Sequence, residues 1–303
     1  MARAVLYRHF AADPCFNMGF DEWLALQAAS HPNTVFLRLY TWAVGAITLG
    51  VHQQSWRAVD WTAVGDTPVI RRVTGGRAVY HDPSELTYAV AVDTDAVDLP
   101  ALRGAVAATS ESLADVLTTF LRRAGMCVQY ARQSSPRESE PSVLHKMPCF
   151  ESFSRHEVLS GSHKVVASAQ RRFGSVLLQH GSIKLNGIPI HPALTRHPGR
   201  SFCATKGESL GQARFGELAG TFVGVMSSFV GTQIRVTEDI VEGNRELEGW
   251  VHDVRKNPLA ARDIFERTSK ASSLLNGYWR EKTGGKKPLD FPNETGIFRG
   301  YVK

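Results

Sequence analysis

The 303-residue chain predicts an α+β fold, with a central mixed or antiparallel β-sheet and flanking helices. Three observations carry that expectation. Short runs with strand-like apolar patterning recur along the chain. Longer stretches with helical apolar spacing interrupt them. Their order lacks the strict strand–helix alternation of a doubly wound parallel sheet. Hydrophobic residues make up 43% of the chain, enough for one large core.

The elements follow in order. "NMGFDEWLALQAAS" reads as a helix capped by Asn17, with Asp21 and Glu22 in the first turn, where the helix dipole favours acid. "NTVFLRLYTW" alternates Val35, Leu37 and Leu39, a strand pattern. "AITLGVHQQ" and "PVIRRV" read as two further strands, and "GGRAVYHD" and "ELTYAVAVD" as a turn with strands. Leu102, Val106, Leu113, Val116, Leu117 and Phe120 fall at helical spacing, giving a long helix with one buried face. Residues 131–148 are polar, hold three prolines and have no period, so they read as a loop. "EVLSGSHKVVASAQ" and "GSVLLQHGSIKL" read as strands and "GELAGTFVGVMSSFVG" as a helix. Asn257 and Pro258 suggest the cap and first position of a last helix. The division expected is a catalytic-sized domain at 1–250 and a C-terminal helix with a basic irregular extension at 251–303.

The formal charge of +6 suits an anionic partner. No run of five like charges marks a nucleic-acid arm, so no nucleic-acid partner is expected. No stretch approaches eighteen apolar residues, so no membrane span is expected. The first residues lack the apolar core of a signal peptide. The cysteines Cys15, Cys127, Cys149 and Cys203 are scattered without a CxxC, so no metal site is expected. These features suggest a reducing cytoplasm, where thiol reactivity matters.

Two stretches stand out chemically. In "RRVTGGRAVYHD", Arg71, Arg72 and Arg77 crowd around Thr74, Gly75 and Gly76, with His81 and Asp82 close behind. One reading is a β-hairpin with a Gly-Gly turn and solvated arginines. The other is a site where an acyl chain or nucleotide meets bare backbone. Neither GxGxxG nor GxxxxGK[ST] is present, which excludes the Rossmann and P-loop fingerprints.

The second stretch places Cys149 at the end of the polar loop and Lys164 in "SGSHKVVASAQ", where a Gly/Ser turn meets a strand. Most cysteines are small buried hydrophobes and most strand-end lysines are solvated. Cys149 lies outside any apolar period, on a loop, where reactive groups are often carried. A thiol of pKa about 8.5 is only a few per cent thiolate at pH 7; an adjacent ammonium that lowers it to about 7 raises the thiolate to about half. A lysine ammonium also stabilises an oxyanion. Cys15 and Cys127 are expected to pack.

Taken together, these stretches resemble the biotin/lipoate protein ligase and octanoyltransferase superfamily. "FNMGFDEWL" is similar to its first helix, "LRLYTWAVGAITLGVHQQ" to its early strands, "RRVTGGRAVYHD" to its arginine–glycine motif and "HKVVASAQRR" to its lysine motif. The likeness runs in order from about residue 7 to about residue 230. It implies a ligase-like catalytic domain with a groove for a medium-chain acyl group, lined by Arg71, Arg72, Thr74, Gly75, Gly76, Arg77, His81, Ser168 and Ala169. "PCFESFSRHEVLSGSHKVVASAQRR" looks like the cysteine loop and lysine motif of the LipM-type octanoyltransferases, in which the cysteine forms an acyl-enzyme. The resemblance thus implies Cys149 as nucleophile and Lys164 as its helper. It implies octanoyl-acyl carrier protein as donor, a lipoyl domain or the glycine-cleavage H protein as acceptor, and no cofactor.

Alternatives remain. An ATP- and Mg²⁺-dependent lipoate ligase shares the fold, although ligases tend to carry a "GGGxVxHDxGN"-like run where this chain has "GGRAVYHDPSELTYAV". A non-catalytic acyl- or carrier-binding homologue predicts binding without turnover. Cys203 is an alternative nucleophile, and His81 a proton relay or a structural residue.

Overall fold

Strand β2 (Thr34–Trp42) lies inside the main sheet, and all 9 of its residues are buried. Its odd positions, Val35, Leu37 and Leu39, join the larger apolar core. Its even positions face the other way: Tyr40 and Trp42 pack with Met18 and Val254, and Arg38 points at the helix that precedes the strand. A strand covered on both faces is why the simple alternation in its sequence understates its burial.

The computed structural model describes residues 2–102, 106–130, 157–161, 163–187, 191–194, 209–237 and 244–261. The strands are β1 (Arg3–Ala12), β2, β3 (Ala46–Leu49), β4 (Val69–Arg71), β5 (Val79–His81), β6 (Leu86–Asp93), β7 (Gln129–Tyr130), β8 (Val158–Ser160), β9 (His163–Phe173), β10 (Val176–Ile183) and β11 (Ile234–Thr237). Eight form one sheet in the order β11-β1-β2-β6-β10-β9-β8-β7. The pairs β11–β1 and β1–β2 are parallel and the other pairs antiparallel, so the sheet is mixed as expected. β1 and β11 are strands that the sequence patterning did not indicate.

The helices are α1 (Pro14–Ser30), α2 (Ser55–Ala58), α3 (Val106–Arg123), α4 (Gln212–Val230) and α5 (Arg245–Lys256). α3 and α4 bury Leu117, Phe120, Leu218 and Phe222 against Leu37, Val90 and Leu177 of the sheet. Each such side chain removed from water contributes about 1.5–3 kcal/mol before entropy is counted. α1 crosses from β1 to the parallel β2, and covers the opposite face together with α5.

Two helix boundaries differ from the sequence reading. α1 begins one turn early: Asp13 caps it by accepting from the Phe16 N–H at 3.0 Å, and Pro14 takes the first helical position. Asn17, Asp21 and Glu22 therefore lie inside the helix and are buried. Asn257 caps the C-terminus of α5 rather than opening a later helix. α5 itself went unanticipated, although Asn244 accepts from two of its first N–H groups and Leu247, Trp250, Val251 and Val254 form a buried stripe. This helix runs across residue 250, where the sequence reading placed a boundary.

A second sheet has three strands in the order β4-β3-β5, with β3 parallel to β4 and antiparallel to β5. β4 and β5 flank the Gly75-Gly76 turn in sequence, yet β3 lies between them. The turn is therefore not the tip of a hairpin.

Candidate active site

The second sheet and the strands β6, β9 and β10 enclose a cleft of about 400 Å³, part of it open to solvent. Arg72, Gly76, His81, Ser168 and Ala169 line it, five of the residues that the sequence singles out. Gly181 and Ala167 keep that wall low, while Met18 and Val79 supply apolar surface. Such a cleft suits a slender apolar chain with a polar head.

The loop at 72–77 is shaped by one guanidinium. Arg72 Nη2 donates to Gly75 O at 2.7 Å and to Arg77 O at 2.9 Å, and Nη1 donates to Thr48 O at 3.1 Å. The arginine is 5% exposed, so these charge-assisted bonds lie out of water. The loop rests on Gly50, where a Cβ would lie 2.1 Å from Gly76 O. Gly76 itself has φ +92°, a conformation that side chains disfavour.

Behind the loop stand two parallel arrangements of carboxylate, imidazole and threonine. In the first, His180 Nδ1 donates to Asp21 Oδ2 at 2.8 Å, and His180 Nε2 contacts Thr74 Oγ1 at 2.6 Å. Asp21 also accepts from Arg38 Nη1 and from Tyr40 OH, each at 2.8 Å. Burial pushes the Asp21 carboxyl up, but Arg38 and His180, through charge and hydrogen bonds together, outweigh it and the net shift is downward. Asp21 is thus an anion that only accepts, which fixes the His180 proton on Nδ1. Burial, reinforced by Arg38, holds His9 neutral with a pKa of about 2; its Nδ1 accepts from Arg38 Nε at 2.9 Å.

In the second arrangement, His81 Nδ1 donates to Glu85 Oε1 at 2.6 Å and His81 Nε2 accepts from Thr48 Oγ1 at 2.8 Å. Thr87 and Ser182 each donate to Glu85 at 2.8 Å, and Lys184 completes its shell. Burial raises the Glu85 carboxyl, but Lys184 and then His81 bring it down to about 2. Burial lowers the His81 pKa despite Glu85, so the ring is neutral and acts on Glu85 through its N–H. His81 stacks on Trp42 with centroids 4.1 Å apart. Both ring nitrogens are hydrogen-bonded, to Glu85 and to Thr48, which fixes His81 in the cleft wall. Glu85, Lys184, Asp21 and His180 were absent from the sequence-level site. Part of the signal was present: Arg38 is the one cation in a largely apolar strand, and it requires a buried partner.

The remaining expected residues separate. Thr74 is fully buried behind the loop and touches His180. Gly75 contributes its carbonyl to Arg72, and Arg77 is half-buried at the loop's end. Arg71 faces away from the cleft lining: its Nη1 donates to Gln53 O at 2.6 Å and to Gly50 O at 3.1 Å, and its Nε to Leu259 O at 2.7 Å. It fastens backbone, a correction to both the solvated and the ligand-binding readings. Cys127 is exposed rather than packed, while Cys15 is half-buried.

Lys164 lies on β9, buried, with Nζ 2.6 Å from Glu157 Oε1. A register shift follows it, since Leu159 pairs with Lys164 and Val158 with Val166. Bulges of this kind re-aim side chains beside sites. Lys164 does not line the cleft described above. Cys149, Cys203 and the 131–148 loop lie outside the described residues.

The family described as lipoyl protein ligase A/B catalytic domain matches residues 13–190. An octanoyltransferase LipM of Moorella thermoacetica is 37% identical over 188 residues, which are 60% of this chain and 66% of that protein. The LipM of Bacillus subtilis is 32% identical over 178 residues, 58% of this chain and 63% of that protein. The chain thus spans just under two thirds of the length of these curated relatives. Among solved structures, a bipartite lipoate protein ligase from Thermoplasma acidophilum aligns with a TM-score of 0.58 at 15% identity, over 87% of this chain and 98% of that one. A lipoate-protein ligase A bound with ATP aligns with a TM-score of 0.57 at 16% identity, over 90% and 99%. At such identity these two establish a shared fold.

Proposed function

Because the chain belongs to the lipoyl protein ligase A/B catalytic-domain family, we propose that it is an octanoyltransferase. The substrate is an octanoyl thioester of acyl carrier protein, and the acceptor is a lysine of a lipoyl domain or of the glycine-cleavage H protein. The observation that carries this reading is the cleft of small side chains and bare backbone between the Gly75-Gly76 loop and Ala167–Ala169. The LipM relatives support the octanoyl group as cargo.

In the proposed reaction the Cys149 thiolate adds to the thioester carbonyl, the carbon–sulfur bond to the carrier breaks, and the carrier leaves as thiolate. An acceptor amine then adds to the acyl-enzyme. An amide forms, Cys149 is released, and the amine proton passes to the departing sulfur. The sequence is ping-pong covalent catalysis. Thioester exchange is nearly isoenergetic and amide formation is downhill, so ATP, metal and cofactor have no step to drive. Lys164, on the same strand as Ala167 and Ala169 but outside the cleft lining and paired with Glu157, is the cation proposed to assist Cys149. No helix among the described residues is long and apolar enough to cross a membrane, which accords with soluble protein substrates.

The test is an intact-mass measurement after incubation with octanoyl-acyl carrier protein without ATP. One octanoyl adduct is expected, labile to hydroxylamine and absent from Cys149→Ala. Transfer that requires ATP and free lipoate, and survives Cys149→Ala, would replace this reading with a ligase.

A further inference from the structure

We infer that Met18 sets the length of the acyl chain that the cleft accepts, by closing the end where the chain's methyl group lies. The inference rests on reading the cleft as the acyl site. The floor of the cleft is one row of side chains. Tyr40 of β2 pairs with Thr87 of β6, Thr87 with Ser182 of β10, and Ser182 with Ala167 of β9. Residues paired in register put their side chains on the same face of a sheet, and each member of this row lines the cleft. At about 4.8 Å between neighbouring strands, the row measures about 14 Å from Ala167 to Tyr40.

The two ends of the row differ. Lys164 is on β9 itself. β8 lies beyond β9 in the sheet, and the chain that leads into β8 carries Cys149. The carbonyl therefore belongs at the β9 end. At the β2 end stand Tyr40 and Met18 of α1, 0% and 3% exposed. They pack with Trp42, Ile70 and Val254 in one apolar cluster, so the cleft ends blind there.

Length decides what this end does. An extended octanoyl chain reaches about 9 Å from carbonyl to methyl, given carbon–carbon bonds of about 1.5 Å. Laid along the row from Ala167, it passes Ser182 and brings its methyl to Thr87, one strand short of Tyr40. The space left, about 5 Å, is little more than one carbon–carbon contact of about 3.5–4 Å. A longer chain must displace something at the closed end. Tyr40 cannot give way, because its OH donates to Asp21 at 2.8 Å and the Arg38 guanidinium lies 3.9 Å from its ring centroid. Val79 pairs with Thr48 in the second sheet, so it forms a side of the cleft rather than its end. Met18 is unbranched and has no polar anchor, so its bulk alone sets where the chain stops. It is thus a residue that touches substrate and determines specificity.

The test varies residue 18 in the full-length chain and reads a ratio. Hexanamide, octanamide and decanamide are titrated by calorimetry, and transfer is measured from the corresponding acyl carrier proteins. Met18→Ala removes Cγ, Sδ and Cε from the closed end. It should raise the preference for decanoyl over octanoyl about tenfold or more, in binding and in kcat/KM, since a methylene that gains or loses its pocket is worth about 10–200-fold. Met18→Phe fills the same end and should shift the preference toward hexanoyl by a similar factor. A merely structural role would lower all lengths alike and leave the ratios where they were. Where Met18→Ala fails to fold, Met18→Val should move the ratio the same way by a smaller step. Ratios unchanged by both the smaller and the bulkier side chain, with transfer by the wild type intact, would overturn the inference and leave the transferase reading standing. Amide ratios that move in opposite directions, with no acyl transfer by any variant, would support Met18 as the length gauge and remove the transferase reading. Failure of the wild type to bind any of the amides would overturn both.

Discussion

Gly50→Ala probes the loop that forms the cleft. The new Cβ would lie 2.1 Å from Gly76 O, whereas ordinary contact begins at 3.4 Å, so the carbonyl must retreat by about 1.3 Å (3.4 − 2.1). Both partners in this clash are backbone, so no rotamer change relieves it. The retreat moves the neighbouring carbonyls of Gly75 and Arg77, which Arg72 Nη2 holds at 2.7 and 2.9 Å. Overpacking costs about 1–3 kcal/mol, and weakening a charged hydrogen bond adds about 1.5 kcal/mol or more. A loss of about 3 kcal/mol lowers the melting temperature by about 6–12 °C for a domain of this size. Displacement of order 1 Å at a positioning loop costs about 10²-fold in turnover. Thermal unfolding and octanoyl transfer on the same preparation measure both. A variant with the wild-type melting temperature and turnover would refute the reasoning, because it would mean that the loop does not rest on Gly50.

Acid should destabilise the protein partly through Glu85. Its carboxyl falls from 4.5 to about 2 on folding, so its contribution is complete above about pH 4.5 and disappears as pH falls toward 2. That shift amounts to about 3 kcal/mol, and urea unfolding at a series of pH values should show Glu85→Gln with a shallower acid dependence than wild type. Asp21→Asn leaves the buried Arg38 without its anion and should cost about 3–5 kcal/mol in urea unfolding. Arg71→Lys removes bonds to backbone carbonyls at both Gln53 and Leu259 and should lower stability by about 2 kcal/mol. Its KM for the acyl donor should stay within about twofold of wild type, which separates a fastening role from a ligand-binding one.

Much of the fold was legible because its elements are locally consistent. The strand runs around Val35, Leu86 and Val176 and the helical stripe of α3 appear where their periodicities place them. β1 and β11 were not: the apolar residues of "RAVLYRHFAA" do not alternate, and β11 is a short strand whose partner lies far away in sequence, Ala4 against Ile234. α5 shows a different failure: its cap and stripe are plain in "NRELEGWVHDV", a segment beyond the motifs that guided the sequence reading. At the site, the glycine loop, His81, Ser168 and Ala169 were legible because their chemistry is local. Arg71 and Arg72 were recognised as unusual but not told apart. One grips its own loop and the other a turn near residue 259, and only tertiary contacts separate them. Asp21 was read as a favourable helix-end charge, when it is the anion of a buried network.

The grip of Arg71 bears on the order of events at the ribosome. Its backbone N–H is held by Pro258 O and its guanidinium by Leu259 O, which lies 188 positions later in the chain. At typical elongation rates of about 5–20 residues per second, that interval is roughly 10–40 s. For that time the nascent chain carries the arginine–glycine loop and its strands without their last fastening. The backbone that carries the loop thus gains its last hydrogen bonds only late in synthesis.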